Sequence, residues 1–176
     1  MKKSMILKSL FVGLVFSLFV FKPAVAFAQD VIDQGPDQIV VTTDVDSTLN
    51  EVWQVMIDFE SYRNWNKWYR LEGEAQVGSV VKAYAGSGGI HLDLKITKMD
   101  ENTLCWKDVT WFTNLGLGGW RCRTVWANPD GTGVKFTNHF QFSGPFRAVL
   151  KVAAREALLK GMLQENQNLK AFVERR

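Results

Sequence analysis

Ser47-Thr48-Leu49-Asn50-Glu51-Val52-Trp53-Gln54-Val55-Met56-Ile57-Asp58-Phe59-Glu60-Ser61-Tyr62-Arg63-Asn64-Trp65-Asn66 is the stretch that decides the architecture. Thr48 followed by Glu51 forms a capping box, in which hydroxyl and carboxylate satisfy each other's nearby backbone N–H groups. Behind it Leu49, Val52, Trp53, Val55, Met56 and Ile57 recur at helical spacing, so a helix begins here with one face to bury. The aromatic run Phe59, Tyr62, Trp65, Trp68 and Tyr69 follows at once. Upstream, residues 39–45 are β-branched and strand-like.

Working outward, strands are predicted at 79–85, 90–99, 103–111, 120–127 and 134–142, with turns at 86–89, 100–102 and 128–131. Alternation is cleanest at Ile90, Leu92, Leu94 and Ile96, and again at Val134, Phe136, Asn138, Phe140 and Phe142, which means one buried face and one wet face. After Ser143-Gly144-Pro145 a long helix is predicted over 146–174, with the proline at its first turn. A single long helix must lay its apolar face on the concave side of an antiparallel sheet, which makes the fold α+β. On that helix Phe146, Leu150, Ala153, Ala157 and Gly161 share one stripe. Its small middle either lets the layers close up or leaves a void against the sheet.

The other end of the chain concerns location. Lys2, Lys3 and Lys8 precede an apolar run from Leu10 to Phe21, and Ala26 and Ala28 offer small-x-small positions. This is the pattern of a secretory signal peptide over 1–28. The run falls short of the ~20 apolar residues a spanning helix needs. A periplasmic or secreted protein is therefore expected, with an uncleaved membrane anchor as the alternative. Residues 29–38, with their acids, Gly35 and Pro36, read as a flexible leader, and 39–176 as one domain. Lys2, Lys3, Lys8 and Lys22 supply four of the 21 basic residues and 1–28 holds no acid, so the remainder has 17 basic against 18 acidic residues. Nothing in that balance points to nucleic acid.

Residues 47–66, Gly131-Thr132-Gly133-Val134-Lys135-Phe136-Thr137 and Phe142-Ser143-Gly144-Pro145 together resemble the START-like (SRPBCC) superfamily in its polyketide cyclase/dehydrase branch. The resemblance covers roughly residues 39–174. It implies the helix-grip fold, a curved antiparallel sheet wrapped around the C-terminal helix with an internal hydrophobic cavity. It implies a hydrophobic small-molecule or lipid ligand but no catalytic signature, because the superfamily holds lipid carriers, cyclases and proteins of unknown role. Expected cavity residues are Leu92, Leu94, Trp106, Phe136, Asn138, Phe140, Leu150, Ala153 and Ala157.

The chemistry-bearing residues are few. His91 and His139 lie out of phase with the apolar faces and away from metal-ligand spacing, so they are expected in solvent and no metal site is expected. The glycine-rich stretches at 87–89 and 115–119 do not join a strand to a helix, so no nucleotide or other cofactor is expected. Asp108 and Asn138 are the catalytic candidates, each also readable as an ordinary polar anchor. Cys105 and Cys122 are a candidate disulfide pair on adjacent strands. Pairing them, however, turns Trp120 and Trp126 outward or demands a bulge. Trp111, Phe112, Leu115, Leu117 and Trp120 suggest a loop that lids a cavity or dips into a membrane surface. Arg147, Lys151 and Arg155 form a basic ridge, either solvated or facing anionic headgroups. Three readings follow: a carrier of a hydrophobic molecule, a cyclase- or dehydrase-like enzyme, or a module whose loop docks on a partner.

Overall fold

A strand gives way to a helix within a few residues at Thr48, and the capping box makes that turn. The Thr48 hydroxyl accepts the Glu51 N–H at 3.2 Å, while the Glu51 carboxylate accepts the Thr48 N–H at 3.1 Å and the Ser47 hydroxyl at 2.6 Å. Those bonds, the one from Ser47 first, hold the Glu51 carboxyl below its ordinary range. Thr48→Ala is expected to cost about 1 kcal/mol, read as a shift in the urea midpoint with an unchanged slope.

The computed structural model describes residues 30–33, 35–85 and 91–176. Its strands are β1 (Val31–Asp33), β2 (Gln38–Val45), β3 (Tyr69–Glu72), β4 (Val80–Ala85), β5 (His91–Met99), β6 (Thr103–Asp108), β7 (Gly118–Ala127) and β8 (Val134–Ser143). Helices α1 (Leu49–Ile57) and α2 (Tyr62–Trp65) join β2 to β3, and α3 (Arg147–Val173) closes the chain. All eight strands form one antiparallel sheet in the order β1-β2-β8-β7-β6-β5-β4-β3. A register shift between Ile96 and Lys98 adds a bulge in β5, a feature that increases local twist. The concave face buries Ile39, Val41, Val125, Phe136, Leu104 and Ile96, and α3 lays Met162, Leu169 and Val173 on it. This is the helix-grip arrangement. The expected signal peptide and the 86–89 turn with Ile90 lie outside the described residues.

Where it is described, the leader packs against the domain. Val31–Asp33 pairs with β2, and residues 35–38 are clamped to α3. Arg147 Nε and Lys151 Nζ both reach Asp37, each at 3.1 Å, and Lys151 also donates to the Pro36 carbonyl at 2.7 Å. Arg155 Nη2 donates to the carbonyls of Gly35 and Gln38 at 2.9 and 3.1 Å. Lys151 and then Arg147 hold the Asp37 carboxyl below its usual range. The basic ridge is thus neither bare nor directed at headgroups: it is the counter-surface of a segment lying more than a hundred residues earlier.

Two further expectations change. The strand predicted through 111 stops at Asp108, and Trp111–Leu115 is a turn of 3-10 helix; Trp120 belongs to β7, not to the loop. Ala153 and Ala157 face solvent, while Ala154 and Leu158 face inward. The inward line is displaced by one residue, about 100° of helix rotation. The C-terminal half of α3, where Met162, Leu169 and Val173 bury, sets that rotation for the whole helix.

Cys105 and Cys122 stand directly opposite each other on β6 and β7, 4.1 Å apart at Cα, and form a disulfide. They lie on the convex side, so Trp120 and Trp126 do turn outward, Trp126 with 56% of its surface exposed. Trp120 stacks edge-on against His139, which is half-buried there and not solvent-exposed as expected. Desolvation holds the His139 imidazole below its ordinary pKa. The inward phase of β7 passes instead to Arg121, Arg123 and Val125.

Candidate functional site

Between the N-terminal half of α3 and the sheet lies a cavity of about 260 Å3. Leu92, Leu94, Trp106 and Phe140 line it from the sheet, and Leu150, Ala154 and Leu158 from the helix. Trp68 and Tyr69, leaving α2, close its side. The small residues do two jobs. At Gly161 an added Cβ would sit 2.5 Å from the Trp68 indole, so this glycine permits close approach of helix and aromatic wall. One and two turns earlier, Leu158 and Ala154 border open space.

The remaining expected cavity residues sit elsewhere. Phe136 is fully buried in the core and is not part of the cavity wall. Asn138 is fully buried in a polar network beside it. Asp108 is at the cavity mouth, where its carboxylate accepts the Thr110 N–H at 2.8 Å and starts the 3-10 turn. Both catalytic candidates therefore hold structural hydrogen bonds, and they belong to separate places. Of the expected lid residues, Leu117 reaches the cavity and Trp120, on β7, borders it, while Trp111 and Leu115 are exposed and Phe112 lies in the 3-10 turn. A larger hollow of about 490 Å3 is an open groove on the convex face beside the disulfide, bordered by Lys98, Lys107 and glycines.

The network at the inner end of the cavity was not foreseen. Glu165 on α3 is fully buried and pairs with both Arg121, Nη2 to Oε2 at 2.5 Å, and Arg123. The Tyr69 hydroxyl donates to Glu165 at 3.1 Å and Asn138 Nδ2 donates at 3.2 Å. Arg121 Nε donates to Asn138 Oδ1 at 2.7 Å, and Arg123 Nη1 donates to the Tyr62 hydroxyl. That hydroxyl donates onward to the Met56 carbonyl at 2.9 Å. Burial, opposed by the Arg123 guanidinium, pushes its pKa up to about 12. Arg123 also lies 4.5 Å from the centre of the Trp106 ring, a cation–π contact. Each piece had a faint signal. Arg121 and Arg123 alternate with the Trp120–Cys122 phase, and Glu165 interrupts an apolar helical line between Leu158 and Leu169.

Among the described residues no group of three or more His, Cys, Asp or Glu is placed to hold a metal ion, and no helix is long and apolar enough to cross a membrane. The chain's fold matches several solved structures at low identity. A protein from Mesorhizobium loti superposes with a TM-score of 0.62 at 16% identity, over 78% of this chain and 97% of that one. Truncated norcoclaurine synthase from Thalictrum flavum gives 0.60 at 11% identity, over 82% and 95%. StfQ, a di-domain ARO/CYC from the steffimycin biosynthetic pathway, gives 0.64 at 10% identity, over 79% of this chain and 51% of that one. No curated protein sequence matches the chain. The family model described as polyketide cyclase / dehydrase and lipid transport matches residues 36–174, and with the sheet, the gripped helix and the apolar cavity in view, the chain belongs to that family.

Proposed function

We propose that this protein binds and carries a hydrophobic small molecule or lipid, outside the cytoplasm, without chemically altering it. The observation that carries this reading is the cavity, whose walls are leucines and aromatic rings. Its volume of about 260 Å3 lies just below the ~300–1,000 Å3 typical of small-molecule pockets, so a compact ligand fills it. Export is supported by the leader-like pattern of residues 1–28 and by the Cys105–Cys122 disulfide, which persists in oxidising compartments.

The cavity mouth supports exchange with an apolar phase. Trp111 and Leu115 on the 3-10 turn, Phe146 just before α3, and Val149 and Val152 on α3 are all exposed, Val152 to 88%. The two segments touch, since the Phe146 N–H donates to the Gly116 carbonyl at 3.2 Å. The exposed apolar residues where the 3-10 turn meets the start of α3, near Leu117 and Leu150, suit transient contact with a membrane surface, through which an insoluble ligand enters without crossing water.

The test is native mass spectrometry with solvent extraction on the full protein purified from its own host. A stoichiometric apolar compound is expected. Leu158→Trp, which fills the cavity from α3, is expected to lower the retained ligand at least about tenfold with the fold intact by circular dichroism. A wild-type protein that stays free of ligand after incubation with its own membrane extract overturns the carrier reading.

A further inference from the structure

The buried network does not balance its charge. Arg121 and Arg123 share one carboxylate, Glu165; the side chains of Arg123 and Glu165 are fully buried and that of Arg121 is 11% exposed. Guanidinium groups stay protonated in proteins, so the cluster carries one surplus positive charge. The other side chains bonded to it, Asn138, Tyr62 and Tyr69, are neutral. Tyr62 does not ionise to fill the gap, because burial disfavours its phenolate. A charge held away from water without a partner is strongly unfavourable, and proteins normally pair it.

The surplus sits where a ligand can reach it. Arg123 is sealed between Trp106, Tyr62 and Glu165, but Arg121 lines the cavity. Of the five N–H donors of Arg121, three meet acceptors: Asn138 at 2.7 Å, Glu165 at 2.5 Å and the Tyr69 hydroxyl at a long 3.4 Å. Glu165 lies behind the cavity wall, and among the described residues Asp108 is the acid that lines the cavity itself. It stands two residues nearer the mouth on β6, half-exposed and engaged with Thr110, so water screens its charge. The apolar walls and this single cationic end describe an amphipathic guest.

We infer that the cavity takes an amphipathic monocarboxylate, its apolar body among Leu92, Leu94, Phe140 and Leu158 and its carboxylate against Arg121. One surplus charge calls for a monoanion; a dianionic phosphate monoester would reverse the imbalance. A carboxylate also matches the planar guanidinium edge. The small volume favours one chain or a fused ring system over a two-chain lipid. This narrows the carrier reading and rests on it.

The two claims separate in one calorimetric experiment on the full protein at pH 7.5, with decanoate against 1-decanol and 2-naphthoate against 2-naphthol. In at least one pair the acid is expected to bind about tenfold tighter than its alcohol, 1.4 kcal/mol. Arg121→Gln is expected to shrink that preference about tenfold, and Arg121→Lys to keep part of it. Equal affinity of acid and alcohol in the wild type overturns the carboxylate inference and leaves the carrier reading standing, whether or not the Gln variant folds. Absence of binding by all four probes overturns both.

Discussion

Glu165→Gln is expected to destabilise the protein by about 3–5 kcal/mol, the cost of breaking a buried ion pair by removing one partner. The substitution changes almost no volume and leaves an acceptor oxygen. It removes the carboxylate that two guanidinium groups share, groups that lie 11% and 0% exposed. Both cations would then stay buried without a counterion, with neutral groups, the new amide, Asn138 and two tyrosine hydroxyls, as their hydrogen-bond partners among the described residues. Urea unfolding followed by tryptophan fluorescence measures the loss directly. A drop below 1 kcal/mol would mean that water reaches the cluster and that its surplus charge has no consequence for ligand choice. A carboxylate ligand, bound against Arg121, is expected to restore part of the lost stability, since anything that binds only the folded state stabilises it.

Removing the disulfide with Cys105→Ala and Cys122→Ala is expected to cost about 3 kcal/mol, the chain-entropy value for a loop of this size. The cysteines are 17 residues apart and enclose the end of β6, the 3-10 turn and the start of β7. In a domain of this length that corresponds to about 6–12 °C in Tm. Reductant should lower the wild-type Tm by the same amount and leave the double variant unmoved. An equal response of both proteins to reductant would show that the bond adds nothing to the hairpin. The turn that the bond braces is the cavity rim, so amide exchange at Trp111–Leu115 should quicken most in the variant.

Much of the fold was legible in the residues because its signals are local. Thr48 and Glu51 start α1 by bonding each other three positions apart, whatever the rest of the chain does. The alternation through Leu92, Leu94 and Ile96, and through Val134, Phe136 and Phe142, reports a one-sided sheet without knowledge of its neighbours. The cavity was legible more coarsely. Leu92, Leu94, Trp106, Phe140 and Leu150 do meet around it, but Ala153 and Ala157 do not, since the rotation of a helix is set by all its buried turns together. Asn138 stood out as a polar exception, yet its partners did not.

The sequence by itself determined α1, the strands that became β2 and β4 to β8, their order and the long final helix, because capping and periodicity act over a few residues; it did not show β1, α2 or β3. Tertiary structure alone decided which face of β7 turns inward, how α3 is rotated, what the acidic leader is for and where the buried charges go. The reason is physical. A guanidinium enters a core only beside its carboxylate, and Arg121 meets Glu165 across 44 residues of chain. Until β6, β7 and β8 are in register, two tryptophans look like the better interior and two arginines like the surface. Register brings Cys105 to Cys122 on the convex side, and the alternation of the strand then leaves the arginines nowhere to point but in.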